Sequence, residues 1–250
     1  MLVCPNCRFE LKKGNKEYYC SNNHHFDLAK SGYLNLLLNH PGGGDNKEML
    51  KARNEILEAG YFEPLALKII DKIKEYGLTE VLDLGSGEGY YSRTIYQNLH
   101  LPVYGVDISK DGCQMASKLN KDCMYIVANI YDLPFSDSSF SGVLNIFAPY
   151  SPEIARITNN IYIKVVPSEY HLIELKSALY EEVYIKEEQD LIVPGFKLKE
   201  SINLSYVKHV NEINSLFKMT PYYYKTNLKE INLVAMDVTF AFAILIYEYI

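Results

Sequence analysis

Residues 81–92 read VLDLGSGEGYYS. Val81 to Leu84 have the composition of a buried strand, and the run from Tyr90 has that of a helix. Between them stand Gly85, Gly87 and Gly89. Glycine lets the chain turn sharply and lets a ligand approach with no Cβ in the way. The spacing is G-x-G-x-G, with Tyr90 where the dinucleotide fingerprint G-x-G-x-x-G requires its third glycine. Asp83, two residues before the first glycine, suits a ligand with a positive centre and an amino group better than a pyrophosphate. S-adenosylmethionine carries both.

Outward from this turn, strand-like and helix-like segments alternate. PVYGVD is a strand, SKDGCQMASKLN a helix, CMYIVA a strand and FSGVLNIF another. This order predicts an α/β fold, a parallel sheet covered by helices on both faces. Ligands of such sheets sit at the strand ends, where Asp83, Asp107 and Asn129 fall in succession. Asp107 is placed for the two ribose hydroxyls and Asn129 for the adenine edge. The cofactor set is therefore Asp83, Gly85, Gly87, Gly89, Tyr90, Asp107 and Asn129, with Asn145 at the next strand end. The plain alternative is that the two acids only cap helices and loops.

LPFSDSSF (Leu133 to Phe140) and GVLNIFAPY (Gly142 to Tyr150) resemble the stretch entering the fourth strand of class I methyltransferases. That resemblance implies a Rossmann-like, mostly parallel seven-stranded sheet. It also makes Asn145 to Pro149 the floor of the methyl-acceptor pocket, where a flat base can stack on Phe147 with Asn145 or a backbone carbonyl bonding its edge; the plain alternative for Phe147 is core packing. Farther on, IYIKVV, INLSYV and MDVTFAFAILIYEY read as strands and YHLIELKSAL as a helix. From Glu48 to Tyr76 the pattern is helical, broken at Gly60.

The amino-terminal segment follows a different logic. Cys4, Cys7, Cys20 and His24 make C-x2-C-x12-C-x3-H, two close ligand pairs across a loop, as a tetrahedral zinc ion needs. His25 is the alternative fourth ligand. The loop between the pairs can form a hairpin turning at Gly14-Asn15. A segment this short buries too little apolar surface to fold without its metal. A redox C-x-x-C would leave the second pair unexplained. With four protein ligands, the zinc is structural. Cys113 and Cys123 read as core.

Domain bounds follow: a zinc-binding finger at 1–38, a linker with connecting helices at 39–78, and the catalytic domain at 79–250. No secretory leader is evident, and the longest apolar run, FAFAILIY, is far short of the ~20 residues of a membrane helix. The expectation is a cytoplasmic, soluble protein with no membrane partner. Net charge is −6, but residues 1–53 carry eight cations against five anions. Lys12, Lys13 and Lys16 cluster beside Tyr18 and Tyr19, which can stack on unpaired bases.

CPNC…CSNNH, FDLAKSGYLNLL, KEMLKARNEILEAGYFEPL, VLDLGSGEGYYS, NIFAP, HLIELKSALYEEV and KMTPYYYK together resemble the RlmA-type 23S ribosomal RNA guanine-N1 methyltransferases. The resemblance runs nearly end to end. It implies methylation of N1 of one guanine in a 23S ribosomal RNA hairpin, a homodimer, and paired fingers that help hold the RNA. The chain departs from it at Asn159-Asn160, which replace a K-P-G-G turn, and at Tyr224, where tryptophan is usual. A general base or a donor to guanine O6 would assist; Asn145, His171 and Glu174 are the candidates, the last two one helical turn apart. A small-molecule S-adenosylmethionine-dependent methyltransferase with a structural finger is the alternative.

Overall fold

The computed structural model describes residues 1–39, 44–180, 191–226, 231 and 235–250. The side chain of Tyr224 and residues 181–183 of the HLIELKSALYEEV motif lie outside the described ones.

The chain opens with a small antiparallel sheet of β1 (Lys12–Lys13), β2 (Glu17–Tyr19) and β3 (His25–Asp27). Lys12 pairs with Tyr19 and Lys13 with Tyr18, and Gly14 N donates to Glu17 O at 2.8 Å, so the hairpin turns at Gly14-Asn15 as read from the sequence. β4 (Leu34–Asn35) follows, then α1 (Lys47–Glu58) and α2 (Glu63–Glu75). Asn46 caps α1 by accepting from the Glu48 and Met49 amides. Gly60, at φ +79°, separates the two helices. α2 buries Leu65, Ala66, Ile69, Ile70 and Ile73, one apolar stripe at helical spacing.

Next come β5 (Val81–Leu84), α3 (Tyr90–Leu99), β6 (Val103–Asp107), α4 (Lys110–Leu119), β7 (Met124–Val127) and β8 (Phe140–Ile146). α5 (Glu153–Ile157), β9 (Thr158–Pro167), α6 (Ile173–Leu179), β10 (Phe196–Val210), α7 (Ile213–Lys218), α8 (Tyr222–Lys225) and β11 (Met236–Tyr249) complete the chain. Asn159-Asn160 form no loop. α5 passes directly into β9, and Asn159 donates to Ser138 O at 2.9 Å.

The main sheet has the order β10-β11-β9-β8-β5-β6-β7-β4. Among the described residues it holds eight strands, where the sequence predicts seven. The eighth is β4, which leaves the metal segment and pairs in parallel with β7, Leu34 opposite Ile126. Two residues are too few to announce a strand by alternation. Only β11 runs against its neighbours, pairing antiparallel with both β9 and β10. Strand order reverses between β5 and β8, which opens a crevice at their carboxyl ends.

β5 alternates across the sheet. Val81 joins the core beneath α1, α2 and α3, while Leu82 and Leu84 face a second core. That second core also contains Leu2, Cys4, Leu11, Tyr18 and Cys20, so the metal segment is packed onto the sheet rather than tethered beside it. Val3 N donates to Pro134 O at 2.9 Å, Arg8 Nη1 donates to Leu133 O at 2.8 Å, and Arg8 is ion-paired with Asp132.

Candidate active site and metal centre

The turn after β5 is built for glycine. Gly85, Gly87 and Gly89 have φ of +75°, +55° and +80°. A Cβ at Gly85 would stand 2.7 Å from the Ala148 Cβ, and one at Gly89 2.6 Å from the Tyr125 hydroxyl. The turn is fastened to β6: Gly85 N and Ser86 N both donate to Val106 O. Gly87 N donates to Asp107 Oδ2 at 2.9 Å, and Ser109 N to Asp107 Oδ1 at 2.7 Å. Asp107 therefore braces the turn while standing at its strand end. Each of its oxygens retains a lone pair for a ribose hydroxyl.

Asp83 is buried and accepts from Ser92 Oγ at 2.7 Å. Burial pushes its carboxyl up to about 6, against the pull of the Ser92 hydrogen bond. Glu88, inside the turn, is 1% exposed. Burial pushes it up to about 7, opposed by the charge of Arg53, and its Oε1 has no hydrogen-bond partner among the described residues. Burial also raises Asp107. Tyr90 opens α3, buried under the Arg93 guanidinium, 5.4 Å from its ring. Asn129 Oδ1 accepts from Tyr131 N at 3.0 Å, which leaves its amide NH2 as the group available to an adenine.

Across the crevice, Asn145 pairs in register with Leu84 of β5. Its Nδ2 donates to Pro149 O at 2.9 Å, and its buried Oδ1 has no partner among the described residues. Phe147 follows with φ +62° and is 42% exposed, a strained backbone that holds an aromatic face toward solvent. Behind it the His171 ring lies at 6.4 Å and 24°, with Phe62 and Phe242 completing the wall.

His171 and Glu174 do not share a helix face. His171 lies in the turn before α6, and Leu172 at φ +54° separates it from the helix. His171 Nδ1 accepts from Ala241 N at 3.2 Å, so the neutral ring carries its proton on Nε2. Burial pushes its pKa down to about 3, which removes it as a general base and leaves it as a donor. Glu174 accepts from Thr239 N at 2.8 Å and Thr239 Oγ1 at 2.6 Å, a structural tie between α6 and β11.

In the metal segment, the donor atoms of Cys4, Cys7, Cys20 and His24 all lie within 4.8 Å of one another. His24 Nδ1 is 3.4 Å from both Cys4 Sγ and Cys20 Sγ, and Cys7 Sγ is 3.6 Å from Cys20 Sγ. Those edges are near the roughly 3.5–3.8 Å of a tetrahedron with ~2.3 Å metal–sulfur bonds. His25 points elsewhere. It stacks on Tyr19 and meets Glu17 Oε2 at 2.7 Å. The donor set fits zinc, and with four protein ligands it is a structural centre.

Sequence reading passed over Glu88 and Arg53. The acid among the turn glycines was the available signal for the first. The second sits on α1, away from the strand ends; the segment KEMLKARNEILEAGYFEPL contains it, but nothing in that segment shows that α1 lies on the turn. The buried acceptors on Glu88 and Asn145, and a turn without a Cβ at Gly85, Gly87 and Gly89, fit a ligand bearing an ammonium and a sulfonium. A sheet reversing at β5 and β8 with this turn defines a class I S-adenosylmethionine-dependent methyltransferase, here carrying a zinc ribbon.

Comparison with known proteins agrees. The family described as "RlmA, N-terminal", a zinc ribbon, matches residues 2–40, and "Methyltransferase domain" matches 81–167. The Bacillus subtilis (strain 168) protein named "Putative 23S rRNA (guanine-N(1)-)-methyltransferase YxjB" is 33% identical over 88% of this chain and 86% of its own length. The 23S rRNA (guanine(748)-N(1))-methyltransferase of Streptomyces fradiae is 31% identical over 71% of this chain and 67% of its own. Among solved structures, the YcgJ protein of Bacillus subtilis shares the fold, with a TM-score of 0.50 at 15% identity over 74% of this chain and 97% of that one. The chain belongs to the 23S rRNA (guanine-N1)-methyltransferase family.

Proposed function

We propose that this protein transfers the methyl group of S-adenosylmethionine to N1 of a guanine in a hairpin of 23S ribosomal RNA. The observation that carries this reading is a relative named for that reaction whose likeness spans 88% of the chain, ribbon and catalytic domain together. The small-molecule alternative has no such support.

The bound cofactor supplies a methyl group already activated on sulfur. The chain's task is alignment of that carbon with N1 at ~3–3.5 Å. Asp83 and Glu88 face the ammonium, Asp107 the ribose, and the Asn129 amide the adenine. Phe147 stacks on the target guanine against the His171 ring. Asn145 Oδ1 accepts from an N–H of cofactor or base. His171, buried behind Phe147 and tied to Ala241 N through Nδ1, backs that ring for the stack.

In this reading residues 1–38 grip the RNA, 39–78 connect, and 79–250 carry out transfer in the cytoplasm as a homodimer. Among the described residues no helix is long and apolar enough to cross a membrane. The test is modification mapping of 23S RNA from cells with and without the gene. Loss of one N1-methylguanine, restored by wild type and not by Asp83→Ala, is expected. An unchanged map rejects the assignment.

A further inference from the structure

The pocket has an excess of acids. Asp83, Glu88 and Asp107 surround the turn, and Asp45 lies over its edge. Such a set attracts an ammonium and a sulfonium, but it repels the carboxylate that the same cofactor carries. A cation is required to balance it.

Arg53 is placed for this. It projects from α1, and its Nη1 comes within 3.3 Å of where a Cβ on Gly87 would stand. The guanidinium therefore lies directly on the glycine turn. Its charge also pulls the Glu88 and Asp107 carboxyls down, against their burial. Nη1 is ion-paired with Asp45, while Nε and Nη2 make no hydrogen bond to a described residue. Asp45 is itself secured at the β6 end, since Ser109 Oγ donates to its carbonyl at 3.1 Å. The other arginine near the turn is committed elsewhere: Arg93 pairs with Glu58, donates to Glu88 O and covers the Tyr90 ring.

Resting on the methyltransferase reading above, we propose that Arg53 binds the carboxylate of the cofactor's amino-acid end, with Asp45 holding its guanidinium over Gly87. The segment before the catalytic domain thereby completes the cofactor site. A planar fork suits a carboxylate in a way that an ammonium does not.

Calorimetric titration of the full chain with S-adenosylmethionine and with its decarboxylated analogue tests this. Wild type is expected to prefer the intact cofactor by about tenfold or more, the worth of a charge-assisted pair. In Arg53→Gln that preference collapses toward one, because affinity for the intact cofactor falls and affinity for the analogue does not. Arg53→Lys keeps only part of it. The ratio is internal to each variant, so a reduced folded fraction does not disturb it. An Arg53→Gln protein with the wild-type preference overturns the inference. So does one that binds both cofactors normally but loses RNA, which would put Arg53 on a phosphate. A wild type that binds neither molecule sinks the methyltransferase reading itself, a result distinct from either.

Discussion

Glu88 and Asp83 are buried acids whose folded values, about 7 and about 6, lie above the ordinary carboxylate range. The folded chain therefore holds protons that the unfolded chain releases. The resulting stabilisation is fully present below the unfolded values and is lost as pH rises through the folded ones. Glu88→Gln mimics the protonated acid and should flatten the fall in melting temperature between about pH 5 and 8. A profile as steep as wild type would show that Glu88 is not the titrating group. A cationic ligand pulls the other way. Cofactor binding should tighten with pH across this window and release protons, read as a dependence of binding heat on the buffer's ionisation enthalpy. At Gly89, an added Cβ meets both strain at φ +80° and the Tyr125 hydroxyl. Gly89→Ala should cost about 3 kcal/mol, the sum of left-handed strain and overpacking, seen as a lower urea midpoint. The placement of the glycines, Asp83, Asp107 and Asn145 was legible because it follows from the backbone at turns and strand ends. Glu88 and Arg53 were not, because their chemistry arises from burial and from how α1 lies on the turn. The pairing of His171 with Glu174 misled for a related reason: a left-handed Leu172 breaks the helical spacing that joined them.

At the scale of elements, the metal segment has three strands of two or three residues each, too short to hold themselves. Chelation should open this sheet while leaving the eight-stranded one largely intact. Hydrogen exchange confined to the amides of residues 1–30 is the expected reading, and protection unchanged by metal removal would contradict it. Phe147→Ala should abolish transfer to RNA while leaving cofactor affinity within about twofold, since the ring contributes stacking on the acceptor alone. The β-rich carboxy-terminal half shows what sequence conceals. INLSYV reads as a six-residue strand, yet β10 runs over 15 residues. Its charged start looks like a loop in isolation. It is a strand because it pairs along β11, with Lys199 bonded across to Glu248 at 2.8 Å. Cross-strand partners of this kind are distant in sequence and leave no local trace.

The whole molecule is an acidic catalytic body with a basic ribbon packed on it. Residues 1–53, the ribbon with the start of α1, carry a net +3 of a total of −6, so this part of the chain attracts an RNA polyanion more than the acidic remainder does. Changing Lys12, Lys13 and Lys16 together to glutamate should weaken RNA binding at least tenfold and reduce its salt dependence, with cofactor affinity unchanged. Retained RNA affinity would move the RNA site off the ribbon. The alternating βα order was readable from hydrophobic periodicity, as was the ribbon from its ligand spacing. How the two meet was not, because the contacts join residues distant in sequence, among them the Arg8–Asp132 ion pair, the Val3–Pro134 amide bond, the β4–β7 pairing and a core shared by Leu2, Leu11 and Phe135.

β4 carries a consequence for how such a chain is made. Its hydrogen-bonding partner, β7, is synthesised long after it, once two further βα units have left the ribosome. The nascent ribbon can capture its ion early, but it has no edge to dock on until Met124–Val127 emerges. A metal-loaded ribbon can therefore exist before it is anchored, and β4 can close the sheet edge only after β7 has emerged.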